Sequence, residues 1–218
     1  MSKKKKKTAV KMTAAEKKAL EKKQEKKLTA ALLAVAAIAI ILVIVLVFGG
    51  RTKPKLCHVE IEVENYGTIK AELDESIAPV TVANFIDLAE SGFYDGITFH
   101  RIMDGFMIQG GDPTGTGHGG SDQKIKGEFA ANGFENSLSH KRGVLSMARS
   151  NDYNSASSQF FIVQSDSLFL DGNYAGFGWV TDGMEIVDAI CRDTPVQDNN
   201  GTVLPEDQPV ITSIRVLD

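Results

Sequence analysis

Residues 28–48 of the chain form one long apolar run, LTAALLAVAAIAIILVIVLVF. Thr29 is its only polar residue, and no charged residue interrupts it. At about 1.5 Å per residue, a helix of this length spans about 30 Å, the thickness of the hydrocarbon core of a bilayer. The apolar region of a cleaved signal peptide is shorter, at about 7–15 residues. The run therefore predicts a single N-terminal transmembrane helix that remains as an uncleaved signal anchor.

Charge is distributed unevenly on the two sides of this run. Residues 1–50 contain 12 lysines and three glutamates, a net charge of +9, whereas residues 51–218 contain 12 basic and 25 acidic residues, a net charge of −13. Because lysines beside a membrane helix stay in the cytoplasm, residues 1–27 are expected to be a Lys-rich cytoplasmic segment. The chain is then a single-pass protein of the cell membrane with an extracytoplasmic C-terminal domain. This acidic domain lacks the basic surface that nucleic-acid binding requires.

Residues 49–56 are expected to form a linker, and residues 57–218 have the pattern of a small β protein. Apolar and polar residues alternate from Cys57 to Val63, which is typical of a strand with one buried face. Further strands are predicted at 68–73, 97–103, 107–110, 144–148, 159–163, 174–181 and 209–216. One helix is predicted to begin at Pro79 and end before Gly92, and a second covers 184–190. Short strands, glycine turns and two helices predict a mainly β fold, an antiparallel barrel capped by helices.

Residues that could bind a metal or cofactor give no consistent pattern. Cys57 and Cys191 match no zinc spacing; they could form a disulfide outside the cytoplasm or remain free thiols. The pattern GxGxxG at residues 115–120 has no strand before it and no helix after it, so it predicts a loop rather than a dinucleotide site. His58 and His140 are expected at surface or turn positions. We expect neither a metal nor a cofactor.

The stretch FHRIMDGFMIQGGD, residues 99–112, places Arg101 and Gln109 among apolar residues. A cation in such surroundings has either a partner or a function. A two-residue turn at 104–105 would put the arginine and the glutamine on opposite faces of a hairpin. A three-residue turn at 104–106, with its glycine left-handed, would put them on the same face together with both methionines. We favour the second register because it gathers these polar and thioether groups into one patch.

Four successive stretches, FHRIMDGFMIQGGD, GVLSMARS, SSQFFI and FLDGNYAGFGWV, resemble the motifs of the cyclophilins in the same order. The resemblance covers residues 57–216, nearly all of the predicted domain. It implies a closed eight-stranded antiparallel β-barrel capped by two helices, and peptidyl-prolyl cis–trans isomerase activity. The expected substrates are proline-containing polypeptides, and the expected role is to assist the folding of exported proteins.

The resemblance also implies roles for individual residues. Arg101 is expected to be the catalytic cation, and Gln109 is expected to hold the substrate backbone and to orient Arg101. The segment Ala148-Arg149 corresponds to the one that binds the residues preceding proline. The residues expected to line the proline pocket or its rim are Phe106, Met107, Phe161, Phe169, Leu170 and Tyr174.

These residue types suit the isomerisation of an X–Pro bond. Rotation about the amide has a barrier of ~18–20 kcal/mol, and no covalent bond is made or broken, so no nucleophile or metal is needed. A guanidinium near the amide nitrogen stabilises the twisted state more than the planar one. The alternative, from a different class of function, is a non-catalytic chaperone or scaffold that binds proline peptides at the membrane surface.

Three residues depart from the best-known cyclophilins. Phe169 stands where they have a tryptophan whose N–H donates to cyclosporin, so weakened cyclosporin binding is expected. Tyr174 stands where they have a histidine, and its phenol can also donate a hydrogen bond. Arg149 stands where they have an asparagine, and its charge is expected to favour acidic residues before the proline.

Overall fold

The computed structural model describes residues 55–218 together with Lys22. The rest of the predicted cytoplasmic segment, the predicted anchor at 28–48 and the linker as far as residue 54 lie outside the described residues. In the described part of the chain, no helix has the length and apolar character needed to cross a bilayer. All the elements that follow belong to residues 55–218.

Eight strands form one sheet in which every neighbouring pair is antiparallel. The strands are β1 (Leu56–Val63), β2 (Gly67–Asp74), β3 (Thr98–Met103), β4 (Met107–Asp112), β5 (Val144–Met147), β6 (Phe160–Val163), β7 (Gly176–Asp182) and β8 (Ile211–Val216). Their order across the sheet is β3-β4-β6-β5-β7-β2-β1-β8. Each strand predicted from the sequence is present, with ends that shift by one or two residues at most.

The sheet curls until its two edge strands, β3 and β8, approach each other. The N–H of Phe99 donates to the carbonyl oxygen of Pro209 at 2.9 Å. The N–H of Ile211 donates to the carbonyl oxygen of Ile97 at 2.7 Å. These bonds satisfy backbone groups that an open sheet would leave unpaired at its edges.

Two helices accompany the sheet, α1 (Pro79–Glu90) and α2 (Met184–Asp193). Proline occupies the first turn of α1, where its missing N–H removes no hydrogen bond from the helix. The core-facing residues of α1 include Val82 and Phe85, and those of α2 include Val187. The mainly β, antiparallel architecture with two helices predicted from the sequence is therefore confirmed.

Alternation along β6 sends two neighbouring phenylalanines to opposite sides of the sheet. Phe160 lies in the main core, with its ring edge-to-face against Phe85 at a centroid distance of 5.2 Å. Phe161 belongs to a second, smaller apolar cluster that also contains Met107 and Leu170. This second cluster forms the floor of the candidate site.

The turn between β3 and β4 has the three-residue register that the sequence favours. Arg101 pairs with Gln109, and Met103 pairs with Met107. Gly105 has φ +77°, in the left-handed region that glycine adopts most easily. The arginine, the glutamine and both methionines consequently share one face of the hairpin.

Both cysteines are buried free thiols, which answers the question that the sequence left open. Burial raises the pKa of Cys191 to about 12, and burial also raises the pKa of Cys57. Both groups are therefore protonated and poorly nucleophilic at neutral pH.

Candidate active site

A cavity of about 270 Å³ opens above the second apolar cluster. Nine of the ten site residues predicted from the sequence line it, and Phe169 is the exception. The lining contains one residue that was not predicted, Asn200. The full lining consists of Arg101, Phe106, Met107, Gln109, Ala148, Arg149, Phe161, Leu170, Tyr174 and Asn200.

The floor of the cavity is apolar. Met107, Phe161 and Leu170 are each at most 7% exposed. The ring of Tyr174 meets that of Phe161 edge-to-face, with centroids 6.0 Å apart and an interplanar angle of 82°. A slot of this kind favours a proline ring, which is apolar and carries no N–H that would lose a hydrogen bond on burial.

Arg101 reaches the cavity from β3 and is held by four acceptors. Its Nε donates to the carbonyl oxygen of Asn200 at 2.8 Å, and its Nη2 donates to Oδ1 of the same residue at 3.1 Å. Nη1 donates to Oε1 of Gln109 at 3.3 Å, and Nη2 also donates to Sδ of Met103 at 3.0 Å. Because none of these acceptors carries a formal charge, the guanidinium is fixed in place without being neutralised.

In the part of the chain that the structure describes, the electrostatic environment of Arg101 also leaves its positive charge without a counter-ion. Burial lowers its pKa, and Tyr174 and Asp198 partly oppose this effect. An arginine nevertheless stays protonated in a protein. Among residues 55–218, no carboxylate forms a salt bridge with Arg101. A half-buried cation without a counter-ion can respond strongly to negative charge that develops on a bound substrate.

Gln109 is oriented by a chain of amides. Its Nε2 donates to Oε1 of Gln159 at 2.9 Å. Nε2 of Gln159 in turn donates to the carbonyl oxygens of Gly117 at 3.1 Å and Gly119 at 2.7 Å. These contacts turn Oε1 of Gln109 toward Arg101, so the glycine-rich loop that follows β4 at 113–127 helps to set the geometry of the site.

Comparison with known proteins identifies the family to which this chain belongs. Residues 58–216 match the family described as "Cyclophilin type peptidyl-prolyl cis-trans isomerase/CLD". The chain belongs to the cyclophilin family. It is therefore a peptidyl-prolyl cis–trans isomerase, and its substrates are proline-containing peptides. This confirms the activity predicted from the sequence, in preference to the non-catalytic alternative.

Relatives of this cyclophilin occur in fungi, bacteria and protozoa. It is 49% identical over 122 residues to "Peptidyl-prolyl cis-trans isomerase-like 1" of Rhizopus delemar, covering 56% of this chain and 72% of that protein. It is 44% identical over 131 residues to "Peptidyl-prolyl cis-trans isomerase A" of Dickeya dadantii, covering 58% and 67% respectively. The crystal structure of a cyclophilin type isomerase from Cryptosporidium parvum superposes with a TM-score of 0.66 at 36% identity, covering 75% of this chain and 98% of that one.

Phe169 lies at the rim of the cyclophilin pocket rather than in its lining. Its side chain is 72% exposed. Its ring rests against Phe106, with centroids 5.5 Å apart and planes inclined by 38°. It thus extends the apolar surface outward from the pocket.

Arg149 is surrounded by aromatic rings. Its guanidinium carbon lies 4.5 Å from the ring centroid of Tyr174, 4.9 Å from that of Tyr153 and 5.1 Å from that of Phe129. Nε and Nη2 donate to the carbonyl oxygen of Asn173 at 3.0 and 2.8 Å, and Nη1 donates to the carbonyl oxygen of the residue after Arg149. These partners are neutral, so the side chain supports Tyr174 while its charge remains uncancelled.

A second cavity, of about 420 Å³, lies beside the first. The two cavities share Gln109, Ala148 and Arg149. His118 and Lys124 also line the second cavity, and the rest of its lining consists of glycines, serines and one further glutamine. Because no acidic residue lines it, the second cavity is suited to a negatively charged group.

His140 corrects an expectation from the sequence. It was predicted at a surface or turn position, but it is fully buried beneath the pocket floor. Its Nδ1 lies 2.8 Å from Oδ1 of Asp171, its Nε2 lies 2.9 Å from Oγ of Ser146, and its ring stacks on Phe161 at 6.2 Å. Burial lowers the pKa of His140 and outweighs the opposing effect of Asp171, so the ring is neutral at pH 7.

Asn200 is the functional-site residue that the sequence did not reveal. The sequence at residues 198–201, Asp-Asn-Asn-Gly, is typical of a turn. The turn is present, since the N–H of Gly201 donates to the carbonyl oxygen of Asp198 at 3.1 Å. The Asn-Gly dipeptide signals such a turn, but nothing local indicates that it docks against Arg101, 99 residues earlier in the chain.

Proposed function

We propose that this isomerase acts on exported proteins at the outer face of a cell membrane. The apolar run at 28–48 supports an anchor, and the lysines of residues 1–27 support a cytoplasmic N-terminus. The linker at 49–56 has eight residues, so even fully extended it spans no more than about 30 Å. The pocket would then work close to the point where translocated chains emerge unfolded.

The proposed topology has a direct test. Protease added to intact cells should degrade the domain at 57–218, because this domain is expected on the outer side. A domain that is cleaved only after the cells are lysed would contradict the proposal.

Within the pocket, we propose that Arg101 is the catalytic cation. As the C–N bond of X–Pro rotates, the nitrogen becomes pyramidal and gains a lone pair, to which a guanidinium N–H can donate. Such a bond is stronger in the twisted state than in the planar one, as catalysis requires. The observation that carries this proposal is a half-buried guanidinium whose acceptors are all neutral, beside an apolar floor.

The other proposed roles follow from position in the two cavities. Gln109 holds the substrate backbone and orients Arg101. Ala148 and Arg149 contact the residues that precede proline, because they lie between the two cavities. The proline ring occupies the apolar slot and its rim, formed by Phe106, Met107, Phe161, Leu170, Tyr174 and Phe169. A second crystal structure of the Cryptosporidium parvum relative was determined in the presence of the dipeptide Ala-Pro, which agrees with a slot for proline.

The proposed groups can account for the lowering of the activation barrier that catalysis requires. A turnover of ~10²–10³ per second needs about 5 kcal/mol off a barrier of ~18–20 kcal/mol. A charged hydrogen bond contributes about 1.5–3 kcal/mol. Binding the peptide in a fixed geometry can supply the remainder.

Replacement of Arg101 tests the proposed mechanism. In a proline-tetrapeptide isomerisation assay on the full chain, Arg101→Ala should lower kcat/KM about 100-fold or more, in line with the loss of one well-placed donor. Arg192→Ala is the matched control, because Arg192 is an exposed arginine that pairs with Asp193 on α2. Unchanged activity in Arg101→Ala would exclude the proposed role.

We also propose that cyclosporin binds this domain weakly. Phe169 has no N–H to donate, in contrast to a tryptophan at the same place on the rim. Its ring is largely exposed, so an inhibitor that contacts it would gain apolar area but no hydrogen bond.

A further inference from the structure

We propose that Asn200 is a positioning residue for Arg101, and that it must be neutral to perform this role. This inference rests on the proposed catalytic role of Arg101. Arginine has five N–H donors. Asn200 by itself accepts hydrogen bonds from two of the donors of Arg101, one at its backbone carbonyl oxygen and one at its side-chain Oδ1. Asn200 therefore fixes both the position and the rotation of the guanidinium plane.

Counting donors shows what remains for the substrate. Gln109 accepts one N–H from Nη1, and Met103 accepts the second N–H of Nη2. Together with the two bonds to Asn200, four of the five donors are occupied. Within residues 55–218, this leaves one N–H on Nη1 without an acceptor. Nη1 is thus the atom that keeps a donor for the substrate amide.

Hydrogen bonds within the loop at 198–202 and to strand β3 keep Asn200 beside Arg101. Oδ1 of Asp198 accepts from the N–H of Asn200 at 2.9 Å and from that of Thr202 at 3.1 Å. Gly201 has φ +79°, and a Cβ there would clash with the carbonyl oxygen of Ile102. The N–H of Ile102 donates to the carbonyl oxygen of Gly201 at 2.8 Å, which attaches the loop to β3 beside Arg101.

Neutrality matters because of what a carboxylate would do in the same place. Aspartate at position 200 has nearly the shape of asparagine and could accept the same hydrogen bonds. It would, however, form a charge-assisted pair with the guanidinium and reduce the positive potential available to the amide nitrogen. Geometry and charge can therefore be separated by comparing two substitutions at this residue.

The experiment measures kcat and KM separately in the full chain. Asn200→Asp should lower kcat about tenfold to a hundredfold with KM nearly unchanged, because only the response to the twisted state is lost. Asn200→Ala keeps the backbone acceptor and should lower kcat less, about threefold to tenfold. Asn199→Asp is the matched control, because it adds the same charge one residue away, and Asn199 is exposed and takes no part in the hydrogen bonds of this turn among the described residues.

A spectroscopic measurement accompanies the kinetics. The Nε–H signal of Arg101 in a ¹H–¹⁵N spectrum should shift in both Asn200 variants and remain in place in Asn199→Asp. A wild-type kcat in Asn200→Asp, or an equal loss in Asn199→Asp, overturns the inference. If Asn200→Asp does not fold, Asn200→Ala decides, and an unchanged kcat and Nε–H signal in that variant overturn the inference. A fully active Arg101→Ala would instead overturn the proposed role of Arg101.

Discussion

At the scale of single residues, the charges of the second cavity determine which peptides this cyclophilin is expected to prefer. Lys124 and Arg149 line that cavity, and its lining contains no acidic residue. An exposed ion pair is worth about 0.2–1 kcal/mol. Peptides with glutamate before the proline should consequently have a KM about twofold to tenfold lower than peptides with lysine there.

A tetrapeptide series with Glu, Gln or Lys before the proline measures this preference. Lys124→Gln and Arg149→Gln should each reduce it, because each removes one positive charge from the cavity. Lys141→Gln should leave it unchanged, since Lys141 is exposed and lines neither cavity. Equal KM values across the peptide series in the wild-type protein would contradict the prediction.

Single residues also mark the limit of what the sequence could reveal about the site. Arg101 was noticeable because a cation within an apolar hairpin is unusual, and the three-residue turn favoured at 104–106 predicted its pairing with Gln109. His140 was not predictable, because its main partner Asp171 lies 31 residues away. The contact of Asn200 was not predictable either, because its partner Arg101 lies 99 residues away. A side chain whose role comes from distant contacts leaves no periodic signal in its own neighbourhood.

At the scale of elements, α1 depends on a carboxylate from a distant loop. No side chain at the residue preceding the helix caps it. Instead, Glu128 accepts from the N–H groups of Val80 at 3.0 Å and Thr81 at 2.8 Å, and from the Thr81 hydroxyl at 2.8 Å. These bonds satisfy donors that a helix leaves free in its first turn, and a negative charge there also suits the helix dipole.

Removal of this carboxylate should destabilise the fold while leaving the site intact. Glu128 is only 2% exposed. Glu128→Ala should lower the free energy of unfolding by about 2–3 kcal/mol, as expected when a buried acceptor of several bonds is lost. Glu135→Ala is the control, because Glu135 is exposed. Denaturant unfolding measures the difference, and equal stability of the two variants would show that the cap contributes little.

Two elements, β4 and α1, also have features that the sequence pattern did not predict. The sequence pattern located all eight strands, although β5 and β6 are buried on both faces and their burial does not alternate. It ended β4 at Gly110, whereas the strand continues to Asp112, which pairs with Thr98. Glycine carries no side chain to alternate, so the pattern cannot follow the hydrogen-bond ladder through residues 110–111. The cap from Glu128 was missed because the sequence gives no local link between a loop and a helix 47 residues before it.

At the scale of the whole molecule, sensitivity to acid follows from buried histidines. His100 and His140 are 5% and 0% exposed, and burial lowers the pKa of both. A histidine in an unfolded chain has a pKa of about 6.5, so below that pH the unfolded state binds protons that the folded state excludes. The stabilisation is therefore complete above about pH 6.5 and is lost as the pH falls. His58 has a raised pKa because it bonds Asp218, but its ring is exposed and its opposite effect is small.

A second acid effect comes from a buried carboxylate. Burial alone would raise the pKa of Asp112, but hydrogen bonds from Thr114, Gly119 and Gly117 outweigh it and lower this pKa to about 2. A carboxyl with a depressed folded pKa stabilises the fold above its unfolded value of about 3.9. Its contribution disappears as the pH falls through the folded value. The histidine and carboxylate effects thus occupy separate pH ranges.

We therefore expect the Tm of the domain to fall in two stages on acidification, first below about pH 6.5 and again below about pH 4. His100→Leu should make the first stage smaller, because it removes one of the two buried histidines and leaves His140. It should also not lower stability at neutral pH, since both ring nitrogens of His100 lack a hydrogen-bond partner among the described residues. His118→Leu is the matched control at an exposed histidine and should retain both stages. Calorimetry of the full chain across this range measures the effect, and a wild-type Tm that stays constant down to about pH 4 would contradict it.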